Sequence, residues 1–500
     1  MKKMIALFLL VMTLCSLMPG ALAEDKFEGQ DKPTLRALLI NVAIDYNEDD
    51  TAKSIEAFSG YKIIYDMLPS DAAMDKLNLI MASEEDYDFV VIGGDVARVM
   101  EYANAGALVD IAPYLKDYPN LNAAMNEYER STFSVGDSLF AIGMEALSFG
   151  GYGEVRQLPF IRQDWLDALG LQMPATVEEF TEVLRAFKTY DNGSGNPVIP
   201  LTLRSEEITV NGLMGAFGVT HEWMEVDGKL INRVEDPRYL NYLAYLRDLY
   251  AEGLLDAEFP ANKSANINEK FSSGVAGVSY HGYWDVPTLS DTLEQVQPSH
   301  VLGFVPPLVG ENGMVGVGTT VGGFDRISFI PKVTKNLEHV LNLFEIKLEM
   351  ENFVDAVIGK EGIDYTIEDG EYWPILPTFF EHRSWAVNFT TGRYSDVYPT
   401  LWMCRAKKDV RQWACWEVMN RNEAIAAVNI TSEFNKAPAM PATAKYKQSL
   451  DQMARDYHIN MIAGTVSFDD YPTFLEEWYA AGGRDMVEEY NVWWAAFKAE

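Results

Sequence analysis

From Leu35 onward the chain alternates short β-rich runs with helical stretches, and this alternation limits the possible fold more than any other feature. TLRALLINVAI reads as a strand, DDTAKSIEAF as a short helix, YKIIYDMLP as a second strand and DAAMDKLNLIMAS as a second helix. DFVVIGGD is then a buried strand that stops at Gly93-Gly94-Asp95, after which Val96, Met100 and Ala103 recur at helical spacing. Strands separated by helices of about 10–15 residues pair in parallel, because a parallel connection has to cross the sheet and a helix does this while covering its face. A mainly parallel, doubly wound α/β sheet is expected.

Residues 137–153, DSLFAIGMEALSFGGYG, interrupt that order with Gly143, Gly150, Gly151 and Gly153, and an extended glycine-rich stretch suits a crossing between domains. Beyond it, IRQDWLDALGLQMPATVEEFTEVLRAFKTY holds two helices, the second opened by Thr176 with Glu179 three residues later, a capping-box arrangement. INEKFSSGVAGVSYHG reads as helix, glycine turn and strand, and delivers the chain to Tyr283-Trp284. VGVGTTVGGFDRISFIP is a second extended glycine-rich segment, and after Trp373 the sequence is mostly helical. A chain of 500 residues is longer than one core usually supports, about 250–300 residues. Two α/β lobes joined by a multi-strand hinge are therefore expected, residues 24–145 with 316–365 forming one and 146–315 with 366–500 the other.

The first 23 residues read as an export signal: Lys2 and Lys3, an uncharged apolar run from Met4 to Met18, the helix breakers Pro19-Gly20, then Ala21-Leu22-Ala23 at a cleavage position. The run is shorter than the ~20 residues that span a bilayer. Met12-Thr13-Leu14 lacks the small residue that lipid-modifying processing favours, so a lipid anchor at Cys15 is the lesser reading. Export would leave Cys404 and Cys415, either a disulfide or two buried thiols. The formal net charge of −34 argues against a nucleic-acid partner, which needs clustered Lys and Arg, and against docking onto anionic lipid.

Metal and nucleotide chemistry find no pattern. The six histidines are scattered without a His-x3-His or Cys/His cluster, and Asp191–Asn196 has the polar residues of a calcium loop without its closing glutamate. The glycine-rich stretches lack the Lys-Ser/Thr of a phosphate loop, and no G-x-S-x-G elbow is present. No cofactor is expected. Candidate residues instead stand where strands stop, the edge at which open α/β sheets bind ligands. Asp95 follows FVVIGG, Glu145 lies in the first crossing, and Trp284-Asp285 follow VAGVSYHGY. An indole covers the C–H face of a sugar, and a carboxylate beside it accepts from hydroxyls. The competing reading makes Trp284 a core residue and Asp285 a helix cap before Pro287.

Four blocks in order give the chain a resemblance to extracellular solute-binding proteins of ABC importers, in the LipO-like branch of family 1. These are IRQDWLDALGLQMPATVEEFTEVLRAFK, PRYLNYLAYLRDLYAEGLLDAEF, GKEGIDYTIEDG and INMIAGTVSFDDYPTFLEEWYAAGGRDMVEEYN. More distantly the organisation resembles the maltose-binding type, with Asp95 in GGDVARV, Glu145 in GMEALSF and Trp284 in GYWDV at matching points. The resemblance implies a periplasmic-binding-protein-like fold and a monomer without enzymatic activity. Such a chain takes a solute, an oligosaccharide by preference, into the interlobe cleft, and its hinge closes on the guest. It then passes the solute to membrane permease subunits outside the cytoplasm. Tyr283, Asp285, Arg383 and Trp385 complete the expected ligand-binding set, with Arg383 a local cation. A peptide solute is the runner-up, and a secreted glycoside hydrolase, which needs two carboxylates about 5–10 Å apart, is the rival from another class.

Overall fold

The computed structural model describes residues 25–69, 72–149, 152–438 and 440–499; the export-signal and Cys15 expectations lie outside them. The chain forms two compact units, one comprising residues up to Glu145 and Phe324–Arg405, the other Ala146–Gly323 and Ala406 onward.

In the first unit, alternation produces a five-stranded sheet. Its spatial order is Ile63–Met67, Leu35–Leu39, Phe89–Gly93, Phe324–Phe329, Ala141–Glu145. Leu35–Leu39 pairs in parallel with both of its neighbours, whereas Phe324–Phe329 runs antiparallel to Phe89–Gly93 and to Ala141–Glu145. The sheet is thus parallel with one reversed strand. Phe89, Val90, Val91 and Ile92 are all buried, which is why this strand is a continuous apolar run rather than an alternating one. Asp50–Ser59 starts at Asp49, whose carboxylate accepts from Thr51 N, and stops at Gly60 with φ +69°, a left-handed cap that glycine adopts without strain.

The second unit repeats the plan in a four-stranded sheet ordered Ile199–Thr202, Ala276–Gly282, Gln157–Arg162, Leu302–Phe304. Here Gln157–Arg162 is the reversed strand, antiparallel to both neighbours. In each unit the reversed strand is the one that follows an arrival from the other unit: Phe324 follows Gly323, and Gln157 comes soon after Ala146. Gln157 enters opposite Gly282, the carboxyl end of its neighbour, so the strand has to run the other way. The core of this sheet includes Trp165, Phe187, Leu201, Leu246 and Val278, and a second cluster around Trp223, Phe474 and Trp478 holds the C-terminal helices Pro441–Ile462, Tyr471–Trp478 and Arg484–Phe497.

The unit boundaries depart from the sequence expectation at two places. Residues 316–323 go with the second unit, because Val317–Thr320 pairs in parallel with Asn429–Ser432. Residues 366–405 stay with the first unit, held by side chains that reach its helices and sheet. Arg383 Nη2 donates to Ser54 Oγ at 2.8 Å, Lys347 Nζ to the Phe389 carbonyl at 2.6 Å, and Arg405 Nη1 to the Val357 carbonyl at 3.0 Å. Cys404 and Cys415 are buried thiols.

Candidate functional site

In the first unit the carboxyl ends of two strands meet at one sheet edge. Gly93 stands opposite Arg326 and Glu145 opposite Phe324, with a register shift between those two partners on the reversed strand. That register brings Asp95 and Glu145 to the same edge. The Phe324 carbonyl occupies the space that a Cβ on Gly94 would need, so the close approach requires glycine there. Asp95 caps the helix Val96–Asn104, accepting from Arg98 N at 3.0 Å and Arg98 Nε at 3.3 Å, with its side chain 41% exposed. It both caps and faces solvent.

Glu145 is half-buried, and its Oε2 accepts from Asn126 Nδ2 at 2.9 Å. The Asn126 Oδ1 accepts in turn from Glu129 N, opening the helix Glu127–Phe133. On that helix the Tyr128 ring stacks on Phe324, with centroids 5.1 Å apart and planes 8° from parallel. Arg393 donates to the carbonyls of Met144 and Glu145 and to Asp325. Sequence reasoning missed Asn126, Tyr128, Glu129 and Arg393, because nothing local marks them; only the register at the strand ends gathers them.

Arg383 and Trp385 have different surroundings. Arg383 is buried and ion-paired to Asp355 at 3.0 Å, so its charge is taken up in helix packing. Trp385 is 37% exposed. Its carbonyl accepts from Asn388 N, and Asn388 Oδ1 accepts from Arg326 Nη2 at 2.7 Å, which ties the tryptophan's turn to the same sheet edge.

In the second unit the strand Ala276–Gly282 is buried throughout and ends where the notable aromatics begin. Tyr283 is fully buried and donates its hydroxyl to Glu154 Oε1 at 2.9 Å. Trp416 Nε1 donates to the same oxygen at 2.9 Å, and Arg156 pairs with Glu154 Oε2 at 3.1 Å. The Trp416 ring stacks on Trp413, centroids 5.0 Å apart. Against this backing the Trp284 indole meets the Tyr283 ring edge-on at 5.0 Å and remains 44% exposed. A large aromatic half-open to solvent on a rigid support is what a binding platform needs. Glu154 was not legible as part of that support, since one acid among 74 carries no local mark.

Asp285 turns back on the strand: Gly282 N donates to its Oδ2 at 2.9 Å, and it makes no side-chain cap to the helix Val286–Val296. Burial raises its carboxyl above the ordinary carboxylate range, opposed by the Gly282 N–H and by Arg204. His281, buried 3.9 Å away, is held at a pKa of about 3 by desolvation and is neutral. In the 191–196 turn, Asp191 and Asn192 accept from Gly193 N and Ser194 N, so these side chains close the turn itself. Among the described residues no group of three or more His, Cys, Asp or Glu side chains is gathered as a metal site.

One unit thus carries Asp95 and Glu145 at a sheet edge, and the other carries a braced, half-exposed indole at a strand end. The sequence pattern of the bacterial extracellular solute-binding protein family matches residues 47–325, more than half of the chain, and the chain belongs to that family. Lipoprotein LipO of Bacillus subtilis (strain 168) is 26% identical over 513 residues, covering 98% of this chain and 97% of LipO. The polygalacturonan/rhamnogalacturonan-binding protein YtcQ of the same organism is 25% identical over 514 residues, covering 98% of each. Among solved structures, the Streptococcus pneumoniae ABC-transporter substrate-binding protein FusA, as an EF-hand mutant with fructo-nystose, aligns with a TM-score of 0.73 at 19% identity. It covers 93% of this chain and 100% of that one. The fold is that of the periplasmic substrate-binding proteins.

Proposed function

We propose that this chain captures an oligosaccharide, releases it chemically unchanged and delivers it to the membrane permease of an ABC importer. The observation that carries the reading is Trp284: half-exposed at a strand end and braced by Tyr283, Glu154 and Trp416. Its flat face suits the C–H face of a sugar ring, while Asp95 and Glu145 offer acceptors to hydroxyls. Two relatives are named for carbohydrate, YtcQ for polygalacturonan and rhamnogalacturonan and FusA of S. pneumoniae for fructooligosaccharide, which favours sugar over peptide. Delivery outside the cytoplasm accords with the extracellular family.

The test is a thermal-shift screen of the purified chain against neutral and acidic oligosaccharides and peptides, since a ligand of the native state raises apparent stability. Hits are followed by calorimetry and by chromatography of the recovered sugar. Stoichiometric binding of an intact oligosaccharide is the expected result. Cleaved product would make the chain a glycoside hydrolase, and a response to peptides alone would overturn the sugar assignment.

A further inference from the structure

The first unit buries a carboxyl group that its packing does not account for. Glu129 is 1% exposed, and neither of its carboxyl oxygens has a hydrogen-bond partner. A buried carboxylate left unpaired is costly, whereas a neutral carboxylic acid is tolerated. Glu129 also lies within reach of the Glu145 charge, and Asn126 joins the two residues, donating to the Glu145 carboxylate and accepting from Glu129 N.

We propose that Glu129 is a positioning residue that stays protonated beside Glu145, so that of these two only Glu145 carries a negative charge and keeps its orientation on Asn126. The part Glu145 plays in solute binding rests on the function proposed above; the pairing with Glu129 does not. The charged groups facing Glu129 are Glu145 on its strand, Arg393 from the segment after Phe389, and Arg130 on its own helix. Burial, with the Glu145 charge second, raises the Glu129 carboxyl to about 8, and the two arginines and the nearby Asn126 backbone N–H oppose that rise. Above that pH a second charge appears next to Glu145 and pushes its carboxylate off Asn126.

The experiment needs no solute. Side-chain carboxyl carbons of glutamate are followed by NMR from pH 3 to 10 in the full chain, with the Glu145 resonance assigned through Glu145→Gln. The Glu145 signal is expected to move near pH 8, where Glu129 gains its charge, and this movement is expected to vanish in Glu129→Gln. A Glu145 signal that stays flat near pH 8, or a movement there that survives Glu129→Gln, would overturn the proposal. Because the native chain shows the effect by itself, poor folding of the variant does not blunt the test. Kestose and oligogalacturonate affinities of Glu145→Gln examine the solute-binding role separately, so one idea can fail while the other stands.

Discussion

Gly282 and Trp284 share one space: a Cβ on Gly282 would fall within 3.0 Å of the indole ring. The ring therefore lies back over the glycine at the end of its strand, with Tyr283 packed edge-on behind it. A glycine here serves the neighbour's side chain, not its own backbone freedom.

Replacing Gly282 by Ala should force the indole out of its seat. Overpacking of this kind costs about 1–3 kcal/mol, so the urea midpoint should fall, the Trp284 fluorescence should shift and any bound oligosaccharide should weaken. Denaturation curves with unchanged slope would confirm that the fold persists.

Trp284→Ala separates stability from binding. The side chain is half-exposed, so stability should change little, within about 1 kcal/mol. The dissociation constant for an oligosaccharide found in the screen should rise on the order of tenfold, ~1.4 kcal/mol. Isothermal titration of the variant and the native chain provides the comparison.

Tyr283→Phe removes a donor from the buried Glu154 carboxylate. A hydrogen bond to a charged group contributes about 1.5–3 kcal/mol, and the loss should appear as a lower melting temperature. Sugar affinity should fall less than in Trp284→Ala, since the platform is loosened but present.

Acid should destabilise the second unit through histidine. His281 and His458 are held at about 3, both chiefly by burial, against an ordinary value of 6.5. The unfolded chain takes up protons below about pH 6.5 while the native chain does not, so stability present above that pH is lost as pH falls toward 3. Glu129 acts in the opposite sense: raised to about 8 from 4.5, it favours the native state most at low pH and loses that contribution as pH rises. Between pH 7 and pH 4, His458→Gln should lose less stability than the native chain, by on the order of 1–3 kcal/mol in denaturation experiments.

Much of the fold was legible because periodicity and caps act locally. The capping box at Thr176 forms as its spacing implied, with Glu179 N donating to Thr176 Oγ1 and the Glu179 carboxylate accepting from Thr176 N. FVVIGG reads as a buried strand because both its faces are covered. The return to the second unit at Ala406 was not legible: residues 366–405 carry no compositional break, and their place depends on where Arg383, Arg393 and Arg405 find partners far away in sequence. Arg383 looked like a cation available to a ligand for the same reason, since its partner Asp355 lies 28 positions earlier.

What the chain determined through short-range order alone was the succession of strands and helices and the points where strands stop, because φ/ψ preference, caps and apolar period are decided within a few residues. What tertiary structure alone decided was the company those stopping points keep: Glu154 under Tyr283 and Trp416, and Asn126 and Glu129 beside Glu145. Hydrogen bonds and charges act over a few ångströms of space whatever the separation along the chain, so only the folded sheet edges could assemble them.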